Sequence, residues 1–159
     1  MGLGFSTISS IGAPTFIENL FNQKVVSEPT FSMYLATNGS ELYLGGTNDT
    51  LYSGNITYVD LTSKTYWLTN GTSSVGGQEA YTGGMIIDSG TTLIVGEARS
   101  VEAWWETVEG AGRCSRRDCG ASGYYTFPCS SPPNVSFTFG GVEFPVSSDY
   151  FNRKHIIPL

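Results

Sequence analysis

Apolar and polar residues alternate along this chain in short runs punctuated by glycine, a rhythm that predicts strands more often than helices. Phe31-Ser32-Met33-Tyr34-Leu35 and Glu41-Leu42-Tyr43-Leu44 alternate with a period of two on either side of Thr37-Asn38-Gly39-Ser40, which predicts a hairpin. Asn55 to Leu61 predicts a further strand, and Thr65-Tyr66-Trp67-Leu68 another. Gly84-Met85-Ile86-Ile87 is a continuous apolar run, the pattern of a short strand buried on both faces. Val135 to Phe139, the turn Gly140-Gly141, and Val142 to Val146 predict a second hairpin. Helix is scarce. Thr15 to Asn22 places Phe16, Ile17, Leu20 and Phe21 on one helical face, and Ala98 to Val108 does the same with Val101, Trp104, Trp105 and Val108. The expected fold class is therefore all-β with one or two short helices.

At 159 residues, with 40% hydrophobic and 14% charged, the chain is long and apolar enough for one globular core. Its net charge of −6 argues against nucleic acid or an anionic membrane as partner. Before Arg99 the only cations are Lys24 and Lys64, so few ion pairs are lost when carboxylates protonate, which suits an acidic medium. No run of 18 apolar residues occurs, so no membrane span is expected. No signal peptide is read at the start, yet five N-x-[ST] sequons, at Asn38, Asn48, Asn55, Asn70 and Asn134, point to the secretory route. These are candidate glycosylation sites, and a secreted product lacking its leader suggests a missing beginning. The tail after Asn152 changes character abruptly. It holds two adjacent cations and the sole histidine, His155, so residues 152–159 are expected to be an anomalous, poorly packed tail.

Three cysteines, Cys114, Cys119 and Cys129, leave one over in any internal pairing. Cys114 and Cys119 could close a short loop and leave Cys129 alone. Alternatively the three thiols and His155 could hold zinc, although their spacing lacks the paired ligands of ordinary zinc modules.

The segment with most chemistry is Ile86-Ile87-Asp88-Ser89-Gly90-Thr91-Thr92-Leu93. A carboxylate follows an apolar strand and is followed by hydroxyls and a glycine. Glycine permits a tight turn and close backbone approach, while hydroxyls and N–H groups can hold a carboxylate ionised. By itself the triplet also fits an ordinary Asx-turn at a strand end.

The pattern of two apolar residues followed by Asp-Ser-Gly-Thr resembles the second active-site motif of the pepsin-like aspartic proteases. Further segments resemble that family in order and spacing. They are Gly2 to Ser6, Pro14 to Leu20, Phe31 to Leu35, Leu42 to Asn48 with its Gly-Gly, Tyr52 to Tyr58, Tyr66-Trp67, Cys129, Pro132 to Val135 and the Phe137 hairpin. The resemblance covers residues 2–151 and is closest in style to fungal secreted members. It implies the C-terminal lobe of the bilobal pepsin-like fold and an acid endopeptidase that needs neither metal nor organic cofactor. In it, Asp88 would be one of two aspartates activating a water. Ser89 would lock the active-site loops, where the family more often has Thr. Thr91 would hydrogen-bond Asp88, Gly90 and Thr92 would meet substrate backbone, and Tyr66 and Ile86 would line a substrate pocket. For Tyr66 and Trp67 the competing reading is core packing. The resemblance also implies a Cys114–Cys119 disulfide, with Cys129 unpaired in this chain because its partner cysteine lies beyond Leu159. Implied partners are protein or peptide substrates and a missing N-terminal lobe. The implied location is extracellular or vacuolar.

Three other functions are weaker. A serine hydrolase needs a nucleophile elbow and a base, but Ser89 follows Asp88 and the one histidine sits in the anomalous tail. A non-catalytic β-lobe with at most weak peptide binding differs from the protease only in lacking a partner for Asp88. A homodimer of lobes, as in retroviral proteases, is disfavoured because the C-terminal hydrophobic-hydrophobic-Gly segment, which the resemblance implies would thread the second active-site loop, is not found in this sequence.

Overall fold

The computed structural model describes residues 2–151, which fall into two compact units: residues 2–56 with 61–68, and residues 57–60 with 69–151. The expected tail at 152–159 lies outside the described residues.

In the first unit, helix α1 (Phe16–Asn22) begins at Thr15 with a reciprocal cap. The Thr15 hydroxyl accepts from the Glu18 N–H at 3.4 Å, and the Glu18 carboxylate accepts from the Thr15 N–H at 2.6 Å. The apolar stripe read from the sequence buries Ile17 but leaves Phe16 and Phe21 exposed. Lys24 then turns left-handed at φ +58°, donating to Phe21 O while Val25 donates to Leu20 O. That is the double closure of a helix C-terminus normally built on glycine.

Strands β1 (Phe31–Tyr34) and β2 (Glu41–Leu44) form the expected antiparallel hairpin, in register from Phe31↔Leu44 to Tyr34↔Glu41. Its loop is closed by Ser40, whose hydroxyl accepts from Ala36 N–H and donates to Ala36 O. The strand expected over Thr65–Leu68 is corrected. β3 (Ser63–Lys64) pairs with the start of β4 at Trp67 and Leu68, and Thr65-Tyr66 form the turn between them. Trp67 packs as core. Its ring centroid lies 4.8 Å from Phe5 and 5.4 Å from Phe31, and its indole N–H donates to Leu3 O at 2.8 Å.

The second unit is built on β5 (Gln78–Ile86), the part of β4 (Trp67–Val75) from Thr69 onward, β8 (Val135–Phe139) and β9 (Val142–Val146), in the order β5–β4–β8–β9. β4 (Trp67–Val75) and β5 (Gln78–Ile86) are joined by Gly76-Gly77, both at positive φ, the geometry of a two-residue hairpin turn. Most of this hairpin of two nine-residue strands was not legible, because the strands are rich in Ser, Thr and Gly and show little apolar alternation. β8 (Val135–Phe139) pairs with both β4 and β9 (Val142–Val146), and the second predicted hairpin is present over its full length. Val135, with 0% exposure, is the centre of this core, and Val108 is buried with it.

Helix α2 (Ala98–Glu106) is capped by the Glu97 carboxylate, which accepts from the N–H groups of Arg99 and Ser100. Its Trp104 indole N–H reaches the buried Ser73 hydroxyl of β4 at 2.9 Å. Trp105 stacks on Tyr125 at 5.2 Å and lies 6.2 Å from Phe127. Tyr125 sits on β7 (Tyr125–Thr126), which pairs with β6 (Gly112–Arg113) in a two-residue ladder too short for periodicity to reveal. With two further one-turn helices, α3 (Arg116–Cys119) and α4 (Ser148–Phe151), the described residues form the expected fold of mostly strands with few short helices.

The strand expected over Asn55–Leu61 does not form. Within the second unit, Asp60 O instead accepts from the Thr69 hydroxyl, and Val59 and Thr57 side chains lie against Gly140, where any Cβ would stand 2.9 Å from Val59. Among the described residues no helix is long and apolar enough to cross a membrane.

Candidate functional site

Asp88 lies in an exposed loop, two residues past the end of β5. The loop folds back on the carboxylate from its own C-terminal side. The Gly90 N–H donates to Oδ1 at 2.8 Å and the Thr91 hydroxyl donates to Oδ2 at 2.5 Å, so each oxygen has one donor. The Thr91 hydroxyl, and after it the Gly90 amide, hold the Asp88 carboxyl below the ordinary aspartate range. The site therefore presents an ionised, oriented acceptor to solvent at neutral and mildly acidic pH.

Gly90 is set apart by proximity. Its φ is not left-handed, but a Cβ there would stand 3.1 Å from Asp88 Oδ1, tighter than most side-chain contacts and directed at the carboxylate itself. The tight turn and the close approach expected at Gly90 are both present, the turn being made with a backbone φ outside the left-handed region.

The structure brings Asp88, Gly90 and Thr91 together by hydrogen bonds and keeps Ser89 and Thr92 exposed beside them. Ile86, at the end of β5, is 51% exposed, and Ile87 is 56% exposed. The expectation of a strand buried on both faces at Gly84–Ile87 is thus corrected. β5 pairs only with β4, and no described residue of its unit covers the Ile86-Ile87 end. Ile94 and Val95, beyond the loop, are exposed as well. Sequence reading missed this exposure, although the apolar run itself was plain; what misled was the rule that apolar runs are covered within the same chain. Tyr66, in the first unit, stands 52% exposed at the tip of the β3–β4 turn, free of the core that holds its neighbour Trp67.

Cys114 and Cys119 form a disulfide with Cα atoms 6.1 Å apart, and Cys129 is an exposed free thiol. The bond consumes two of the thiolates that the zinc alternative required, and His155 lies outside the described residues. Among the described residues no group of His, Cys, Asp and Glu is placed to hold a metal ion. Of the sequon asparagines, Asn38, Asn55, Asn70 and Asn134 are exposed. Asn48 is half-buried, its amide donating to both Glu41 carboxylate oxygens and its carbonyl accepting from Thr50. The described pockets are lined by residues between Ser6 and Pro29, and neither includes any residue of 86–92.

Against known proteins, a family model described as "Eukaryotic aspartyl protease" matches residues 1–156. The chain is 41% identical over 155 residues to an aspartic protease of Phaffia rhodozyma, covering 95% of this chain and 38% of that protein. It is 33% identical to pepsin A of Rhinolophus ferrumequinum over 92% of this chain and 39% of the relative. It is also 34% identical to cathepsin D of Chionodraco hamatus, over 97% of this chain and 40% of the relative. The chain thus spans about two fifths of the length of the curated relatives it matches.

Proposed function

The chain belongs to the eukaryotic aspartyl protease family, and on that premise we propose that Asp88 is one of the two aspartates of an acid endopeptidase. Two carboxyls held close share one proton, because like charges a few ångströms apart do not both ionise readily. The ionised member takes a proton from a water as that water attacks the peptide carbonyl, and the protonated member donates to the carbonyl oxygen. Asp88 suits the ionised role, and the observation that carries the reading is the pair of donors on its carboxylate, Gly90 N–H and Thr91 hydroxyl.

The second aspartate would come from a first lobe, since this chain carries one Asp-Ser-Gly-Thr motif and no second copy. The exposed apolar side chains of Ile86 and Ile87 before the loop, and of Ile94 and Val95 after it, support a protein surface meeting this segment. In that assembly Ser89 locks the two loops, Thr92 and Gly90 meet substrate backbone, and Ile86 and Tyr66 contact substrate side chains. No metal or organic cofactor enters the chemistry. The disulfide supports an oxidising compartment, extracellular or vacuolar.

The 159-residue chain alone is expected to be inactive. The test is cleavage of casein near pH 3–4, with and without an aspartic-protease transition-state inhibitor, for the chain alone and joined to a first lobe bearing Asp-Thr-Gly. Inhibitor-sensitive activity of the joined protein, abolished by Asp88→Asn, is the expected result. A joined protein that folds yet stays inert at every acidic pH refutes the assignment and leaves a non-catalytic lobe. Activity of the chain alone, lost in Asp88→Asn, would mean that two copies pair and that the first-lobe requirement is wrong.

A further inference from the structure

The loop closed by Cys114 and Cys119 contains an adjacent pair of arginines, Arg116-Arg117, which no part of the proposed chemistry uses. Both are exposed, as are Ser115 and Asp118 on either side. Endoproteases selective for basic residues cut after such pairs, but their clefts take the substrate as an extended strand. This loop is held far from that shape. Residues 114 and 119 are five apart, and an extended chain would separate their Cα atoms by about 17 Å. The disulfide holds them at 6.1 Å.

Inside that clamp the pair is wound into the single turn α3, Arg116–Cys119. Ser115 caps the turn. Its hydroxyl accepts from the Asp118 N–H at 3.2 Å and bonds the Asp118 carboxylate at 2.5 Å. Two constraints of different strength therefore oppose extension. The capped turn by itself is marginal, since one turn forms at the cost of nucleation without the benefit of propagation. The covalent clamp is decisive while it lasts. The nearest other cation in sequence is differently held: Arg113 lies in β6, paired with Glu102 at 2.5 Å and with its guanidinium over the Tyr125 ring.

We propose that Arg116-Arg117 is a proteolytic modification site for an endoprotease selective for basic residues, closed by the Cys114–Cys119 disulfide and opened by a dithiol reductant. The opening step is thiol–disulfide exchange. One reductant thiolate attacks a cysteine sulfur, the second resolves the mixed disulfide, and the products are two cysteine thiols and the oxidised reductant. The loop then extends, and the protease hydrolyses the Arg116–Arg117 or Arg117–Asp118 peptide bond, adding one water across it.

The probe is trypsin, applied to the whole chain with and without dithiothreitol, with cut sites mapped by mass spectrometry over time. The folded chain offers internal comparisons at Lys24, Lys64, Arg99 and Arg113. Reduction is expected to speed cleavage after Arg116 or Arg117 about tenfold or more, leaving cuts at those four comparison sites within twofold. Ser115→Ala, which keeps the disulfide, is expected to change nothing under oxidising conditions and to speed cleavage further once reduced. Equal cleavage at the pair in oxidised and reduced chains overturns the proposal. So does a reduced chain cut equally at all its cations, which would place the protection in the whole fold, and so does a pair left uncut in both states.

Discussion

Gly71 sits on β4, between the core aromatics of β8 and the strand that leads to Asp88, and replacing it by alanine gives a sharp test of how tightly that sheet is packed. A Cβ built there would lie 2.4 Å from Phe139 Cε1, 2.8 Å from Phe139 Cδ1 and 3.1 Å from Met85 Sδ. Carbon atoms rest at about 3.5–4.0 Å, so the Phe139 ring would have to move by about 1 Å or more. It has little freedom to do so, with ring centroids 6.5 Å from Phe137 and 6.3 Å from Phe144. Overpacking of this kind costs about 1–3 kcal/mol. Against it stands the conformational entropy that glycine loses on folding into a strand, about 0.5–1 kcal/mol in favour of alanine. The clash wins because the obstructing atoms belong to a ring packed among other rings. Gly71→Ala is therefore expected to destabilise the chain by about 1–2 kcal/mol, a fall in Tm of about 2–8 °C for a protein of this size. Thermal unfolding followed by circular dichroism measures it. The decisive control is the cycle with Phe139→Leu, which opens the space, and in that background Gly71→Ala should be neutral or stabilising. An unchanged or higher Tm for Gly71→Ala in the parent chain would show that the Phe139 ring yields freely and would refute the argument.

Other consequences follow from single contacts. Thr91→Val removes the larger of the two influences on Asp88, so its carboxyl should titrate closer to an ordinary aspartate, as followed by carboxyl carbon NMR. Because the folded-state value is depressed, the stability linked to this group is present above the ordinary aspartate pKa and lost as pH falls through the folded value, and Thr91→Val should shrink that acid-side loss; identical parent and variant titrations would show that the hydroxyl is not what depresses Asp88. Lys24 closes α1 in the left-handed region at φ +58° without glycine's freedom, so Lys24→Gly should stabilise by about 0.5–1 kcal/mol in urea denaturation. A loss of stability there would mean that the Lys24 side chain contributes more than its backbone strain costs. Trp104→Phe leaves the buried Ser73 hydroxyl without its indole donor and should cost about 1–3 kcal/mol, while Trp104→Phe combined with Ser73→Ala should recover part of it, as a thermal-unfolding cycle would report.

Several features held by contacts within a few residues were legible in the sequence alone. The helix over Thr15 to Asn22, the β1–β2 hairpin, the β8–β9 hairpin across Gly140-Gly141 and the position of Asp88 in a loop after an apolar strand all rest on local chemistry, and all are present in the structure. The ordered set of family-like segments carried the family as well, because it depends on residue identity and spacing and not on packing. What tertiary structure decided was pairing and cover. The long β4–β5 hairpin has few apolar residues to announce it and is defined by the ladders that β4 makes with β5 and β8. Asn55–Leu61 has strand-like alternation but finds no ladder, and its carbonyl at Asp60 is satisfied by Thr69 instead. Gly90 lies close against a carboxylate oxygen, a distance that no periodicity encodes. Ile86 and Ile87 are apolar yet exposed, since a side chain's hydrophobicity states what it would bury against water, while only the arrangement of neighbours decides whether anything is there to cover it.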